Sequence, residues 1–195
     1  MKVLVVYSHP VPESFCAALR DTVVETLGAK GHEVRLTDLY AEDFDPRLGC
    51  QERRDYHTEG KNLIYVPEHI ANIQWAEALI FVFPTWWYGL PAMLKGWLDR
   101  VFVPGVSFTM PKGQMPIMPA LTNVKLVGGI TTCGSPWWWM KIVGEPHRRT
   151  LLRGIRGSCH PRCKTLWMAH YRMDSSTPES RKSYLARVKA RLSRL

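Results

Sequence analysis

Apolar and polar positions fall into blocks whose period changes along the chain. Lys2–Tyr7 (KVLVVY) is a short β-branched run of the kind that forms a buried parallel strand. A turn-rich stretch, Ser8–Glu13, follows. Phe15, Ala18, Leu19, Val23 and Leu27 then recur at helical spacing, and Gly31 closes that helix. Glu33–Thr37 predicts a second strand. From about Asp38 to Pro67 the pattern becomes polar and irregular, with one hydrophobic patch at Leu63–Val66. A loop of that length in a compact domain is usually functional or mobile. Ile70, Ile73 and Trp75 mark a helix leading into a third strand, Ala78–Phe83. Pro91 opens another helix with Met93, Leu94, Trp97, Leu98, Val101 and Phe102 on its apolar face. Val124–Ile130 and Thr165–His170 predict the fourth and fifth strands. Thr177 and Pro178 have the character of an N-cap and first helical residue. The closing helix carries Leu185, Val188, Leu192 and Leu195 on one side.

Strands alternating with helices predict an α/β fold: a doubly wound, five-stranded parallel sheet with helices on both faces. Order 2-1-3-4-5 suits five strands. The chain then reverses direction across the sheet between strands one and three, and ligands bind at strand carboxyl ends beside such a switch point. Three loops are thereby singled out: Ser8–Ser14, Pro84–Leu90 and Thr131–Trp139.

Composition narrows the class. At 195 residues and 46% hydrophobic content, residues 1–195 suit one domain with a full core. No apolar run approaches the roughly 20 residues needed to span a bilayer. The strand-like N-terminus does not read as a signal peptide. Five irregularly spaced cysteines suit a reducing cytoplasm. Charge is uneven: residues 141–195 carry fourteen Lys/Arg against three Asp/Glu, while residues 1–140 are slightly acidic. The basic third either attracts an anion such as a dinucleotide or is a solvated Arg-rich face. No nucleic-acid recognition motif accompanies it, so nucleic acid is not an expected partner. Cys159-His160-Pro161-Arg162-Cys163 makes a poor zinc site without a second Cys pair, and no metal is expected.

The three loops carry the chemistry. In SHPVPESF, His9 and Ser14 precede a helix whose N-terminus favours phosphate, although Ser14 also suits a plain helix cap. No G-x-G-x-x-G or Walker lysine motif is present. PTWWYGLP places Trp86, Trp87 and Tyr88 in a row at a strand end, which suits a flat heterocycle or, for one of the three, the core. TTCGSPWWW adds threonine hydroxyls, close backbone approach at Gly134 and more planar surface. Two aromatic loops and one anion-friendly loop fit a phosphorylated planar cofactor, for which flavin is the natural candidate.

At this point a specific resemblance enters. Phe83–Val103, FPTWWYGLPAMLKGWLDRVFV, resembles the signature of the NAD(P)H:quinone oxidoreductase family within the flavodoxin-like fold. VLVVYSHPVPESFCAAL is similar to that family's first strand and phosphate loop, TDLYAEDFDP to the segment after its second strand, and ITTCG to its T-T-G-G loop. The resemblance covers residues 2–140 well and the rest loosely. It implies that His9, Ser14, Phe15 and Cys16 line the phosphate or ribityl chain of a flavin (FMN or FAD). It puts Pro84, Thr85, Trp86, Trp87 and Tyr88 along the isoalloxazine ring, and Thr131, Thr132, Cys133 and Gly134 on its pyrimidine side. It also implies ping-pong hydride transfer from NAD(P)H through flavin to a quinone-like acceptor, in a homodimer. The sequence departs from the family where a Tyr and a His follow T-T-G-G. Trp139 and Glu145 stand there, and His147 lies nearby out of register. Cys16 replaces a frequent Asn, Cys133 replaces a Gly, and the extended C-terminal region of larger members is missing. No side chain is singled out as a general acid. The alternative within the resemblance is a flavin-binding regulatory subunit docked on a potassium-efflux membrane protein through the basic third.

Overall fold

A computed structural model describes residues 1–111 and 116–195. The main sheet joins β1 (Lys2–Tyr7), β2 (Glu33–Asp38), β3 (Ala78–Thr85), β6 (Leu126–Cys133) and β7 (Lys164–His170), all parallel, in the order β2-β1-β3-β6-β7. This is the expected 2-1-3-4-5 arrangement. A separate antiparallel pair, β4 (Phe108–Thr109) and β5 (Met118–Pro119), was not signalled by the hydrophobic pattern.

Alternate side chains of each strand point to opposite faces, which divides the core in two. Val3, Val5, Tyr7, Ile80 and Val82 pack under α1 (Phe15–Ala29) and α7 (Pro178–Leu192). Leu4, Val6, Leu79, Phe81 and Phe83 pack with Ile73 of α3 (Pro67–Trp75) and with Leu94 and Trp97 of α4 (Ala92–Val101). The interior strand β6 is buried along its whole length, and β3 is buried up to its last residue. The continuous apolar run of β3, ALIFVF, requires that double coverage. Thr177 caps α7 in a reciprocal box. Ser180 N–H donates to Thr177 Oγ1 at 3.2 Å, and Thr177 N–H donates to Ser180 Oγ at 3.0 Å.

Three expectations change. The fourth strand runs Leu126–Cys133 rather than Val124–Ile130, because pairing with β3 continues to Thr85↔Cys133 and carries Thr131 and Thr132 into the sheet. The stretch 38–67 is not wholly irregular: it contains α2 (Cys50–Asp55) and a 3-10 turn, Lys61–Leu63. Helix α2 is moored by the buried Glu52 carboxylate. It accepts two hydrogen bonds from Arg100 Nε at 2.9 and 3.0 Å, while Arg100 Nη1 donates to Asp45 O at 2.6 Å. Beyond β6 come α5 (Trp137–Val143), α6 (Pro146–Arg149) and a π-helical turn, Thr150–Ile155. Leu195, expected on the buried side of the last helix, is 37% exposed past its end.

Candidate active site

Three loops meet at the carboxyl ends of β1, β3 and β6. In the first, Ser8 N–H donates to Val82 O, binding the loop to the neighbouring strand. His9 Nδ1 accepts from Val11 N–H at 3.0 Å, and burial pushes the imidazole below its ordinary pKa. Ser14 caps α1 through its Oγ, which accepts from Ala17 N–H at 3.1 Å. The N–H groups of Phe15 and Cys16 begin the helix without an intrahelical acceptor, at the positive end of its dipole. The side chains of these two residues do not face the loop. Phe15 packs edge-on against His170 at 5.4 Å, and Cys16 is buried in the core with its thiol pushed up to about 12 by burial.

The second loop is a strained turn. Gly89 N–H donates to Trp86 O at 2.9 Å, and the two residues between have positive φ, 46° for Trp87 and 61° for Tyr88. Two left-handed central residues define a type I′ turn, normally built from Asn and Gly. Bulky residues there cost about 1–2 kcal/mol each. Trp87 is 95% exposed, so burial does not compensate for its strain. The turn is held from behind. His147, 3% exposed and edge-on to Phe83, bonds through Nδ1 to Tyr88 O at 2.9 Å. The carbonyl can only accept, so Nδ1 carries the proton. Burial pushes His147 below its usual pKa, outweighing the opposing Tyr88 carbonyl and Glu145, which keeps the ring neutral. Trp139 Nε1–H donates to Tyr88 OH at 3.1 Å.

The third loop faces the second. Thr131 and Thr85 share a hydroxyl–hydroxyl bond of 2.9 Å, and Thr131 is fully buried. Thr132, Cys133 and Gly134 open onto a cleft of about 610 Å3 together with His9, Pro84, Thr85, Trp86 and Trp87. Tyr88 lines an adjoining hollow of about 290 Å3. Of the residues singled out in the sequence, Ser14, Phe15, Cys16, Thr131 and Trp139 stand behind or beside the cleft rather than on its wall. Burial pushes the Cys133 thiol up, and Asp174 adds to this, which leaves it protonated at neutral pH. Two wall residues escaped the sequence reading: Met173 and Asp174, from the connector after β7. The placement of that connector at a strand's carboxyl end was the available signal.

Glu145 stands where the sequence resemblance expects a histidine. Burial raises its pKa, but hydrogen bonds from Lys141 Nζ (2.7 Å) and Arg148 Nη1 (2.8 Å) outweigh that and hold it below the usual range. Arg148 is therefore committed to an ion pair, whereas Arg149 and Arg153 are exposed. The Cys159 and Cys163 thiols are buried and donate to Ile155 O and Lys164 O. A second groove, about 580 Å3, is lined by Arg53, Tyr56, Leu98 and Phe102, away from all three strand-end loops. Among the described residues, no helix is long and apolar enough to cross a membrane.

The chain is similar to several known proteins. The mouse ribosyldihydronicotinamide dehydrogenase [quinone] is 36% identical over 146 residues, 63% of this chain and 63% of that one. The uncharacterized NAD(P)H oxidoreductase YcaK of Escherichia coli is 32% identical over 147 residues, 74% of this chain and 73% of that one. The crystal structure of Smu.1420 from Streptococcus mutans superimposes with a TM-score of 0.86 at 30% identity and covers 100% of both chains. The chain spans about half the length of several curated relatives it matches. A family model described as flavodoxin-like fold matches residues 1–192. The chain belongs to the flavodoxin-like fold family, among relatives named ribosyldihydronicotinamide dehydrogenase [quinone] and NAD(P)H dehydrogenase [quinone].

Proposed function

We propose that this chain is a flavin-dependent NAD(P)H:quinone oxidoreductase. The observation that carries the reading is the cleft itself, where an exposed aromatic turn meets the hydroxyl-bearing end of β6 at the switch point, with an anion-favouring helix start beside it. The residues present fit a phosphorylated, planar cofactor. The N–H groups that begin α1 suit a phosphate. In the same loop the buried Ser8 Oγ has no partner among the described residues. Trp87 offers a whole ring face to solvent. Gly134 lets the backbone come close, because a Cβ there would stand 2.6 Å from Asp174 Oδ2.

A bound flavin would supply the hydride chemistry, accepting from NAD(P)H and passing on to a quinone in a ping-pong cycle. The protein's part is binding, orientation and electrostatics. Trp86 and Trp87 form one wall for stacking. Backbone N–H groups past the carboxyl end of β6, from Gly134 onward, would stabilise negative charge arising at a ring edge, in the manner of an oxyanion hole. Cys133, its thiol pushed up by burial, holds its proton. His147 acts as a positioning residue, since its Nδ1–H is spent on the Tyr88 carbonyl. Exposed Trp137, Trp138 and Ile142 beside the cleft form an apolar rim suited to a second copy of the chain, which makes a homodimer part of the proposal. The experiment is reconstitution with FMN or FAD, followed by NADPH oxidation with a soluble quinone. Binding of neither flavin at tens of micromolar would refute the reading, and flavin binding without turnover would favour the regulatory-subunit alternative.

A further inference from the structure

The connector between β7 and α7 brings a carboxylate into the cleft. Asp174 is the one acidic side chain on its wall among the described residues. Its backbone is fixed there. Arg172, at φ 56°, starts a 3-10 turn, Met173–Ser175, in which Ser175 N–H donates to Arg172 O and Ser176 N–H to Met173 O. The turn is fastened to the third loop by Arg172 N–H, which donates to Ser135 O at 3.2 Å. Gly134 lies directly beneath Asp174, and only a residue without Cβ leaves the carboxylate where it is. Among the described residues Asp174 has neither a salt-bridge nor a side-chain hydrogen-bond partner, in a chain of net charge +9.

The rest of the site offers helix-start N–H donors, and threonine hydroxyls and loop backbone that both donate and accept. A carboxylate only accepts. The pyrimidine edge of an oxidised isoalloxazine presents two carbonyls and one N–H, at N3. Backbone donors suit the carbonyls, and N3–H needs an acceptor. We propose that Asp174 accepts the hydrogen bond from flavin N3–H and that its charge lowers the reduction potential of the bound flavin. The second half follows from the first. Reduction adds negative charge to the ring, and a like charge alongside disfavours it. The inference rests on the flavin reading above and deepens it.

The test separates the two. Apoprotein is titrated with FMN and FAD, and the tighter binder is then compared with its N3-methyl analogue, which cannot donate there. Wild type should bind the methylated flavin at least about tenfold more weakly, the scale of one charge-assisted hydrogen bond. Asp174→Ala should bind the parent flavin about tenfold more weakly and lose most of that discrimination. Asp174→Asn keeps an acceptor and loses the charge. It should keep the discrimination while raising the midpoint potential by about 30 mV for every tenfold preference the charge had conferred on oxidised flavin. Discrimination that survives in Asp174→Ala, or a potential that is unchanged or lower in Asp174→Asn, overturns the role of Asp174. Failure of wild type to bind either parent flavin overturns the flavin reading itself.

Discussion

Replacing Trp87 separates what the aromatic turn costs the fold from what it gives the ligand. Trp87 is left-handed and 95% exposed, so its indole adds almost nothing to packing in the unliganded protein. Substitution by glycine should relieve about 1–2 kcal/mol of backbone strain. The added freedom of glycine in the unfolded chain takes back about 0.5–1 kcal/mol. Unliganded Trp87→Gly should therefore be more stable than wild type by up to about 1.5 kcal/mol. Flavin affinity should move the other way, because one face of a large aromatic contact is lost. Covering part of that ring against a planar ligand is worth about 1–3 kcal/mol, or roughly five- to 150-fold in dissociation constant. Trp87→Ala is the control: it loses the same ring but keeps a Cβ in the left-handed region. The two variants should bind flavin equally poorly yet differ in stability by about 1 kcal/mol. Urea unfolding of the apoprotein and flavin fluorescence titration read the two quantities independently. A glycine variant that is less stable than wild type and binds flavin as tightly would show that Trp87 supports the fold and not a ligand.

Three further outcomes are expected. Burial lowers the pKa of His9, His69, His147 and His170, so the unfolded chain binds more protons below its reference value of about 6.5. Their contribution to stability is complete above that pH and is lost as pH falls through the folded values. Urea unfolding at pH 5.5 should thus give a lower free energy than at pH 7.5, and an equal or higher one would contradict the burial argument. Gly96→Ala should cost about 1–3 kcal/mol, since a Cβ on α4 would collide with the Pro46 carbonyl of the 38–67 connector. A melting temperature equal to wild type would show that the connector yields freely. Charge reversal at exposed Arg149 should raise KM for NADPH without lowering flavin content, and kcat/KM for NADPH should fall past about 0.1 M salt. Arg148 is the wrong target because Glu145 holds it, and a KM indifferent to salt and to Arg149 would remove the basic third from dinucleotide binding.

The sheet was legible because interior parallel strands are covered on both faces and must read as unbroken apolar runs, as KVLVVY and ALIFVF do. Strand β6 exceeded its apolar run because Thr131–Cys133 are held by pairing with Phe83–Thr85 rather than by hydrophobicity. Helix α2 was hidden for a related reason. CQERRD has no apolar period, and its mooring is a pair between Glu52 and Arg100, 48 residues apart. Helix α5, WWWMKIV, concealed itself in the opposite way, by being apolar on nearly every side and so lacking an amphipathic stripe. The loops at the switch point followed from topology alone. The fourth loop, with Met173 and Asp174, lies beside them because β7 neighbours β6, and applying the strand-end rule to the fifth strand would have included it.

His147 shows what sequence alignment could not supply. Counted from the T-T-C-G segment, it is two positions beyond the family's histidine, and a reading by register sets it aside. In space it lies under the aromatic turn, 59 residues from its partner Tyr88 in sequence, with its proton fixed on Nδ1 by a carbonyl that can only accept. Two adjacent left-handed aromatic residues persist only where surrounding structure over-determines them. Here a buried imidazole and the Trp139 indole bond to the same residue of that turn. A fold with no use for the strain would relax it with a single glycine at position 87. A strained, solvent-facing tryptophan kept at a strand end by a buried histidine is therefore better explained by a ligand that stacks on it than by any need of the core.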